Sequence, residues 1–425
     1  MSYEASLEKI HSLLTFGSRP GLDRMKALLD RLGNPQDKLK FVHVAGTNGK
    51  GSVCAMLSSV LVAAGYKTGL FISPYIIDFR ERIQINNRMI SRETLEKAVD
   101  ETYPVLMKLR DEGVVITEFE YVNALEFYIH AQEKCDVVVL ETGMGGTLDC
   151  TNVIKPPLCS VITVIGLDHT AVLGDTIEQI ASQKAGIIKT GSFAVSSRQE
   201  SPAMAVIENT AREKNVPLIK SGSVKINGLQ SCLSGSSFEA LGIKIKLNLS
   251  GAHQVENAKT ALAALEYMRK NGLLKISDDD ISSGFANAKN PARLELMGTN
   301  PTVLIDGAHN PNGARALANA VKEFLPEKKI FCVTGMLADK DVGSVIGILA
   351  PMFERVFTVS VDNPRTMSAG ELARRYREAG ADAVSRGDKT EAVNNALALA
   401  KAENGVLLIC GSLYLAASLR PLFIS

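Results

Sequence analysis

Residues 42–52 read Val-His-Val-Ala-Gly-Thr-Asn-Gly-Lys-Gly-Ser, an apolar strand running straight into a glycine-rich turn that ends in a lysine and a hydroxyl. A helix-period apolar pattern, Val53 to Ala64, follows at once. Few folds accommodate that order. The glycines let backbone N–H groups curl around phosphate oxygens, and the helix start adds its positive dipole end. Lys50 neutralises charge, and Ser52 can reach a magnesium ion. The turn departs from the usual G-x-x-x-x-G-K-[ST] spacing: two residues separate Gly46 from Gly49, and Gly51 stands between Lys50 and Ser52. A bare glycine-rich strand-to-helix turn needs neither the lysine nor the serine. The stretch therefore predicts a phosphate cradle built by Gly46, Thr47, Asn48, Gly49, Lys50, Gly51 and Ser52.

The rest of the chain predicts an α/β fold. Residues 4–15 and 22–32 read as amphipathic helices, and short apolar strands follow at 40–46, 68–73, 136–143, 158–166 and 193–197. Runs of Val, Ile and Leu this continuous suit parallel strands covered on both faces. A β-rich patch at 223–250, with turn signals at Asn227-Gly228 and Ser234–Ser237, reads as hairpins on the edge of the first domain. A second alternation then begins, with strands at 303–306, 330–335, 355–361, 383–385 and 406–411 and helices near 312–324, 341–352, 368–379 and 389–403. At 425 residues the chain predicts two domains. Met297-Gly298-Thr299-Asn300-Pro301, rich in turn residues, is the expected boundary. That division gives a nucleotide-binding domain over 1–297 and a smaller domain over 301–425, with ligands expected in the cleft between them.

Composition narrows the partners. A net charge of +1 gives no reason to expect nucleic acid or a membrane surface, and no apolar run is long enough to span a bilayer. Seven cysteines occur singly, with no C-x-x-C pair, which argues for reduced thiols in a cytoplasmic protein and against a zinc site. The first residues have neither a basic segment nor an apolar one of the kind a secretory leader needs.

Further candidate residues stand at strand ends. Ser73 ends the second strand; it reads equally as a magnesium contact and as a loop hydroxyl. Glu141 follows Val-Val-Val-Leu, where a phosphate-loop enzyme holds its metal-binding carboxylate, and the glycines after it permit a ligand to approach the backbone. His169, after the fourth strand, is either structural or a ligand. Lys184 lies among apolar residues, where desolvation would favour a reactive or modifiable amine, whereas Lys189 reads as a solvated helix position. Two polar segments, 251–258 and 305–311, are consistent with capping and turn chemistry or with a ligand site. Asp306 stands where α/β proteins grip a ribose or base.

Taken together, GTNGKGS at 46–52, ETGMGG with LD and TN from 141, GLDHT and QKAGIIK from 166, GAHQ from 251, P-RLE from 291, DGAHNP from 306, DKD at 339–341 and GSLYL from 411 resemble the folylpolyglutamate synthase and dihydrofolate synthase family of Mur-type amide ligases. The resemblance spans nearly the whole chain. It implies a P-loop ATPase domain of Mur-ligase type, a smaller Rossmann-like carboxy-terminal domain, and a monomer that uses ATP and two magnesium ions. It makes Lys50 and Ser52 phosphate and metal contacts, with Ser73, Glu141 and His169 as magnesium ligands. Lys184 becomes a carbamylated lysine that completes the second metal's surroundings. Asn257, Arg293 and Asp306 then contact ATP with His309 beside them, and Thr117, Glu118, Phe119, Glu120, Asp149 and Cys150 face the pterin-bearing substrate. Three positions depart from many relatives: Thr147 replaces an arginine, Gln183 a glutamate and Ala292 a glycine.

The implied reaction activates a folate carboxylate as an acyl phosphate with ATP, and the amine of L-glutamate then displaces phosphate. Positioning and charge neutralisation dominate such chemistry, which suits a site of lysine, metal ligands and backbone N–H groups. Glutamate addition to folates and to dihydropteroate would share these motifs, and the residues leave that choice open. A cell-wall Mur ligase would carry a sugar-nucleotide domain ahead of the phosphate loop, where this sequence has 45 residues. A non-catalytic P-loop switch would show an N-K-x-D guanine reader or an aspartate at the strand tip, and neither is evident.

Overall fold

The computed structural model describes residues 2–16 and 21–424, which form two compact units. One comprises the described residues up to 166 together with 170–225 and 256–287; the other comprises 167–169, 226–255 and 288–424.

The first unit is built on an eight-stranded sheet. Its strands are β1 (Phe41–Ala45), β2 (Thr68–Phe71), β3 (Ile83–Ile85), β4 (Arg88–Met89), β5 (Val137–Glu141), β6 (Cys159–Ile162), β7 (Ala194–Ser196) and β8 (Leu218–Lys220), in the order β4-β3-β2-β5-β1-β6-β7-β8. From β2 to β8 across the sheet all pairing is parallel, and β3 and β4 add an antiparallel edge. Every residue of β1 and β5 is buried, as continuous apolar strands require. The helix Lys50–Ala63 is also buried on nearly all sides. It is covered by the helix Asp278–Asn287, which crosses it so closely that a Cβ on Gly284 would lie 2.4 Å from the Val60 Cα. The five expected strands are present but stop short of their expected carboxyl ends, because those residues leave the sheet as loops. The edge strands β3, β4 and β8, of two or three residues each, carry too little pattern to be read. Since β1 lies between β5 and β6, the loops after these three strands are neighbours, and that is where open α/β sheets bind ligands.

The β-rich patch is a three-stranded antiparallel sheet of β9 (Ile226–Cys232), β10 (Gly235–Ala240) and β11 (Ile243–Leu247). It differs from expectation in two ways. Asn227-Gly228 lies inside β9 beside a register shift, and the second turn is Leu241-Gly242, both residues left-handed. The patch also belongs to the second unit, where Leu233 packs against the apolar core.

That second unit has a six-stranded sheet of β12 (Glu295–Thr299), β13 (Thr302–Ile305), β14 (Ile330–Thr334), β15 (Phe353–Thr358), β16 (Ala383–Ser385) and β17 (Val406–Cys410), ordered β12-β13-β17-β14-β15-β16. All but β12 are parallel. Residues 297–301, read as a boundary, form the β12–β13 hairpin instead. Turn residues mark a hairpin and a linker alike, and only pairing tells them apart.

Candidate active site

The glycine-rich turn is held from beneath. Backbone N–H groups of Thr47 and Asn48 donate to the Val164 carbonyl at 2.9 and 3.2 Å, and the Thr47 hydroxyl donates to Gly166 O at 3.0 Å. Gly46 and Gly49 have φ of 152° and 89°, and a Cβ on them would lie 1.8 Å from Thr163 Oγ1 and 2.3 Å from Asn257 Oδ1. Only glycine fits either place. The same contact puts Asn257 against the loop. Lys50 opens the helix, its ammonium 3.4 Å from Thr47 O and 3.9 Å from Glu141 Oε1. Ser52, two residues on in the same turn, is buried.

Glu141, at the tip of β5, is buried, and its Oε2 accepts from the Ser73 backbone N–H at 3.1 Å. The structure thus brings Lys50, Glu141 and Ser73 together. Lys184 joins them from below the loop: its buried Nζ donates to Gly46 O at 2.8 Å. Thr147 closes this arrangement, its N–H and hydroxyl both donating to Gln183 O, at 2.8 and 3.1 Å. In this way the threonine ties the glycine loop after Glu141 to the helix end that carries Lys184. Among the described residues no three His, Cys, Asp or Glu side chains cluster to hold a metal. A lone buried carboxylate beside a phosphate cradle nevertheless fits magnesium, which commonly binds through one or two carboxylates with water and phosphate oxygens.

Asp149 has an internal task. Its Oδ2 accepts from Met144 N at 2.7 Å, while Oδ1 accepts from the Thr151 N–H at 3.0 Å and the Thr151 hydroxyl at 2.5 Å. That hydroxyl proton is then engaged, so Thr151 Oγ1 accepts from His43 Nε2 at 2.9 Å, and the His43 Nδ1 carries the lone pair. Burial first, and then Lys189, push the His43 imidazole down to about 3, so it stays neutral. Cys150 is buried next to Asp149, with its thiol pushed far up by burial. The His43–Thr151–Asp149 chain therefore shapes the loop after Glu141. His43, hidden in the middle of a strand, gave no sign of this.

Lys189 is not the solvated lysine expected from the sequence. Its Nζ donates to Asn152 O at 2.8 Å and also to Ile154 O, bracing the turn after Asp149. Burial, with Lys214 and Lys26 nearby, lowers it to about 8. The unfolded lysine keeps its proton to higher pH, so stability contributed by this site rises as pH climbs from about 8 toward the ordinary lysine value near 10.5. Lys189→Met should abolish that rise, on the order of 1 kcal/mol after solvent screening. Urea melts of both proteins at pH 7.5 and 10 check it; parallel pH slopes would contradict it.

Of the four candidates at 117–120, Phe119 reaches the glycine loop, its ring 2.3 Å from where a Gly143 Cβ would stand. Thr117 and Glu120 form a capping box on the helix Glu118–Gln132. Glu120 also pairs with Arg24 at 2.7 Å, and Glu118 with His11 at 3.1 Å, tying this helix to the amino-terminal helices.

The remaining candidates gather in the second unit. Asp306 follows β13 with one oxygen on Leu294 N–H and the other on Ala308 N–H, each at 2.7 Å. The Arg293 guanidinium passes over Gly307, its Nη1 2.7 Å from where a Cβ would be. His253, inside the polar segment 251–258 but not among the individual candidates, titrates below its ordinary value through burial and feels both Asp306 and Arg293. His309 donates from Nδ1 to Gly307 O at 2.9 Å, so its Nε2 faces Asp168, 3.8 Å away. Asp168 is a second unanticipated centre, paired with Lys340 at 2.7 Å and bonded by Asn310 Nδ2 at 3.1 Å. Burial works to raise its carboxyl, but His309, Lys340 and His169 outweigh burial and hold it far below the usual range. His169, in the left-handed region with φ of 52°, lies 3.9 Å from Asp168. The DKD motif at 339–341 was the available signal for Lys340.

Known proteins match this chain over nearly its whole length. Residues 44–265 match the Mur ligase middle domain, and residues 292–413 match the Mur ligase glutamate ligase domain. A dihydrofolate synthase/folylpolyglutamate synthase of Bacillus subtilis (strain 168) is 38% identical over 428 residues, covering 99% of this chain and 98% of that protein. The chain belongs to the folylpolyglutamate synthase and dihydrofolate synthase family of Mur ligases. It is therefore an ATP-dependent ligase. A Mycobacterium tuberculosis folylpolyglutamate synthase, solved with ADP and AMPPCP, superposes with a TM-score of 0.92 at 32% identity, over 100% of this chain and 99% of that one. E. coli FolC in complex with DHPP and ADP superposes with a TM-score of 0.88 at 29% identity, over 99% and 97%. Such matches cover both domains expected of a Mur-type ligase, and among the described residues no helix is long and apolar enough to cross a membrane.

Proposed function

We infer that this chain joins L-glutamate to folates and also to dihydropteroate, in each case through an acyl phosphate formed with ATP. The observation that carries the reading is the convergence of the Lys50 ammonium, the Glu141 carboxylate and the Ser73 N–H at the carboxyl ends of β1, β5 and β2, inside a fold shared with these ligases. Lys50 and the backbone N–H groups at 49–52 hold the ATP phosphates and balance the charge that develops as the γ-phosphoryl moves to the folate carboxylate. The glutamate amine then attacks the acyl carbon, and phosphate leaves. Ser52, Ser73, Glu141 and His169 would hold magnesium, which would neutralise phosphate charge. Asn257, Arg293, Asp306 and His309 orient the nucleotide, and Phe119 with the loop closed by Asp149 and Cys150 receives the pterin-bearing substrate.

Lys184 belongs to the same reading as a carbamate. A buried ammonium beside a metal is disfavoured by desolvation and like charge, whereas a carbamate keeps one N–H for Gly46 O and offers two hard oxygens. We place the enzyme in the cytoplasm, in keeping with its seven free cysteines, and take it to act as a monomer.

Phosphate release from ATP, measured with folate and glutamate omitted in turn, tests the function. Release should require both, and labelled glutamate should enter tetrahydrofolate and dihydropteroate side by side. ATP turnover indifferent to both substrates would overturn the reading, and incorporation into tetrahydrofolate alone would restrict it to chain extension.

A further inference from the structure

The segment that carries Arg293 is held in a conformation its own residues resist. Ala292 and Leu294, on either side of it, have φ of 56° and 47°, in the left-handed region that side chains with a Cβ rarely adopt. Such a pair persists only where the surroundings impose it. Two carboxylates do so. Asp306, just after β13, accepts from Leu294 N–H at 2.7 Å. On the other side Glu295 Oε2 accepts from Ala292 N–H at 2.9 Å, while the Ala292 carbonyl accepts from Gly307 N–H at 2.9 Å.

Glu295 is itself gripped. Arg420 Nε donates to its two oxygens at 3.2 and 2.9 Å, and Arg420 Nη2 donates to Oε1 at 2.7 Å. This forked pair fixes the carboxylate plane and its direction. Arg420 opens the final turn, Arg420–Phe423, well outside every motif of the sequence. The two side chains remain 19% and 23% exposed, and ion pairs with that much solvent contribute little to stability. What the pair does supply is geometry, delivered through one oxygen to the backbone beside Arg293.

We propose that Arg420 and Glu295 are positioning residues for ATP use. They clamp the strained Ala292–Leu294 turn so that the Arg293 guanidinium stays pressed over Gly307, ready for the nucleotide. The proposal rests on the reading above that Arg293 contacts ATP. It also accounts for Ala292: a glycine there would take the left-handed conformation freely, whereas this chain depends on the clamp.

Steady-state kinetics on the full chain, with each substrate varied in turn, test the clamp. Arg420→Met and Glu295→Ala should each raise the KM for ATP about tenfold, with the KM values for folate and glutamate unchanged, because a loosened support misplaces one contact group. Glu295→Gln keeps an acceptor for Ala292 N–H and should lose less than Glu295→Ala. Adding Ala292→Gly to Arg420→Met should restore most of the ATP affinity, a rescue that a purely structural tie would not show. Arg293→Ala is the control: if it leaves the KM for ATP unchanged, the underlying reading fails. If it raises that KM while Arg420→Met and Glu295→Ala do not, the clamp fails. Equal losses toward all three substrates, with a lowered melting temperature and no rescue by Ala292→Gly, also overturn it.

Discussion

Lys50→Ala should lower turnover by on the order of a thousandfold and leave the protein folded. Lys50 is the first residue of the helix Lys50–Ala63, where alanine is a better helix former, so the helix does not depend on it. The ammonium stands beside Thr47 O and Glu141, and on the reading above it meets the charge that grows as the phosphoryl group transfers. Such an interaction is stronger in the transition state than in the ground state, so the loss should fall mainly on kcat. Initial rates at saturating ATP, with thermal melts to confirm folding, decide the matter. A folded Lys50→Ala enzyme of normal turnover would remove the lysine from the phosphate site.

A comparable loss, on the order of a hundredfold or more, is expected for Lys184→Ala, which removes the support of Gly46 O and, on the carbamate reading above, a metal ligand with it. If the amine works as a carbamate, a short carboxylic acid such as acetate should restore part of the rate to Lys184→Ala by filling the gap. Lys184→Arg should stay inactive, since a guanidinium remains charged and cannot take up carbon dioxide. Gln183 offers its backbone carbonyl to Thr147, so the helix end is held through the main chain. Carbon-13 NMR of the magnesium- and nucleotide-bound protein in labelled bicarbonate should show one carbamate signal that Lys184→Ala lacks. A spectrum without it, alongside full activity in solutions stripped of carbon dioxide, would count against the modification.

Features set by neighbouring residues are legible in the amino-acid order itself. The loop at 46–52 is one, because glycine spacing, a lysine and the helix that follows are local facts about backbone conformation. Glu141 is another, since an acid after four buried apolar residues must emerge at a strand end. The apolar runs likewise specified five strands in each of the two large sheets, although not where each one peels away, and missed β3, β4, β8 and β12.

Tertiary structure alone decided the rest. Asn227-Gly228 has the letters of a turn and lies within a strand, and residues 297–301 close a hairpin, because pairing partners are chosen by the whole sheet. Thr117 and Glu120 serve as a helix cap and an ion pair, and Asp149 bonds its own loop, since a carboxylate's task depends on which N–H groups come within about 3 Å of it. His43, Asp168 and Arg420 acquire their tasks from residues far away in sequence: Thr151, Lys340 and Glu295 respectively. The sequence by itself determined the phosphate loop, the alternating α/β architecture and the family, because these rest on local conformational preference and the period of apolar residues. Which charges and hydrogen-bonding groups finally meet was decided only by the fold, because such forces act over a few ångströms of space and are indifferent to distance along the chain.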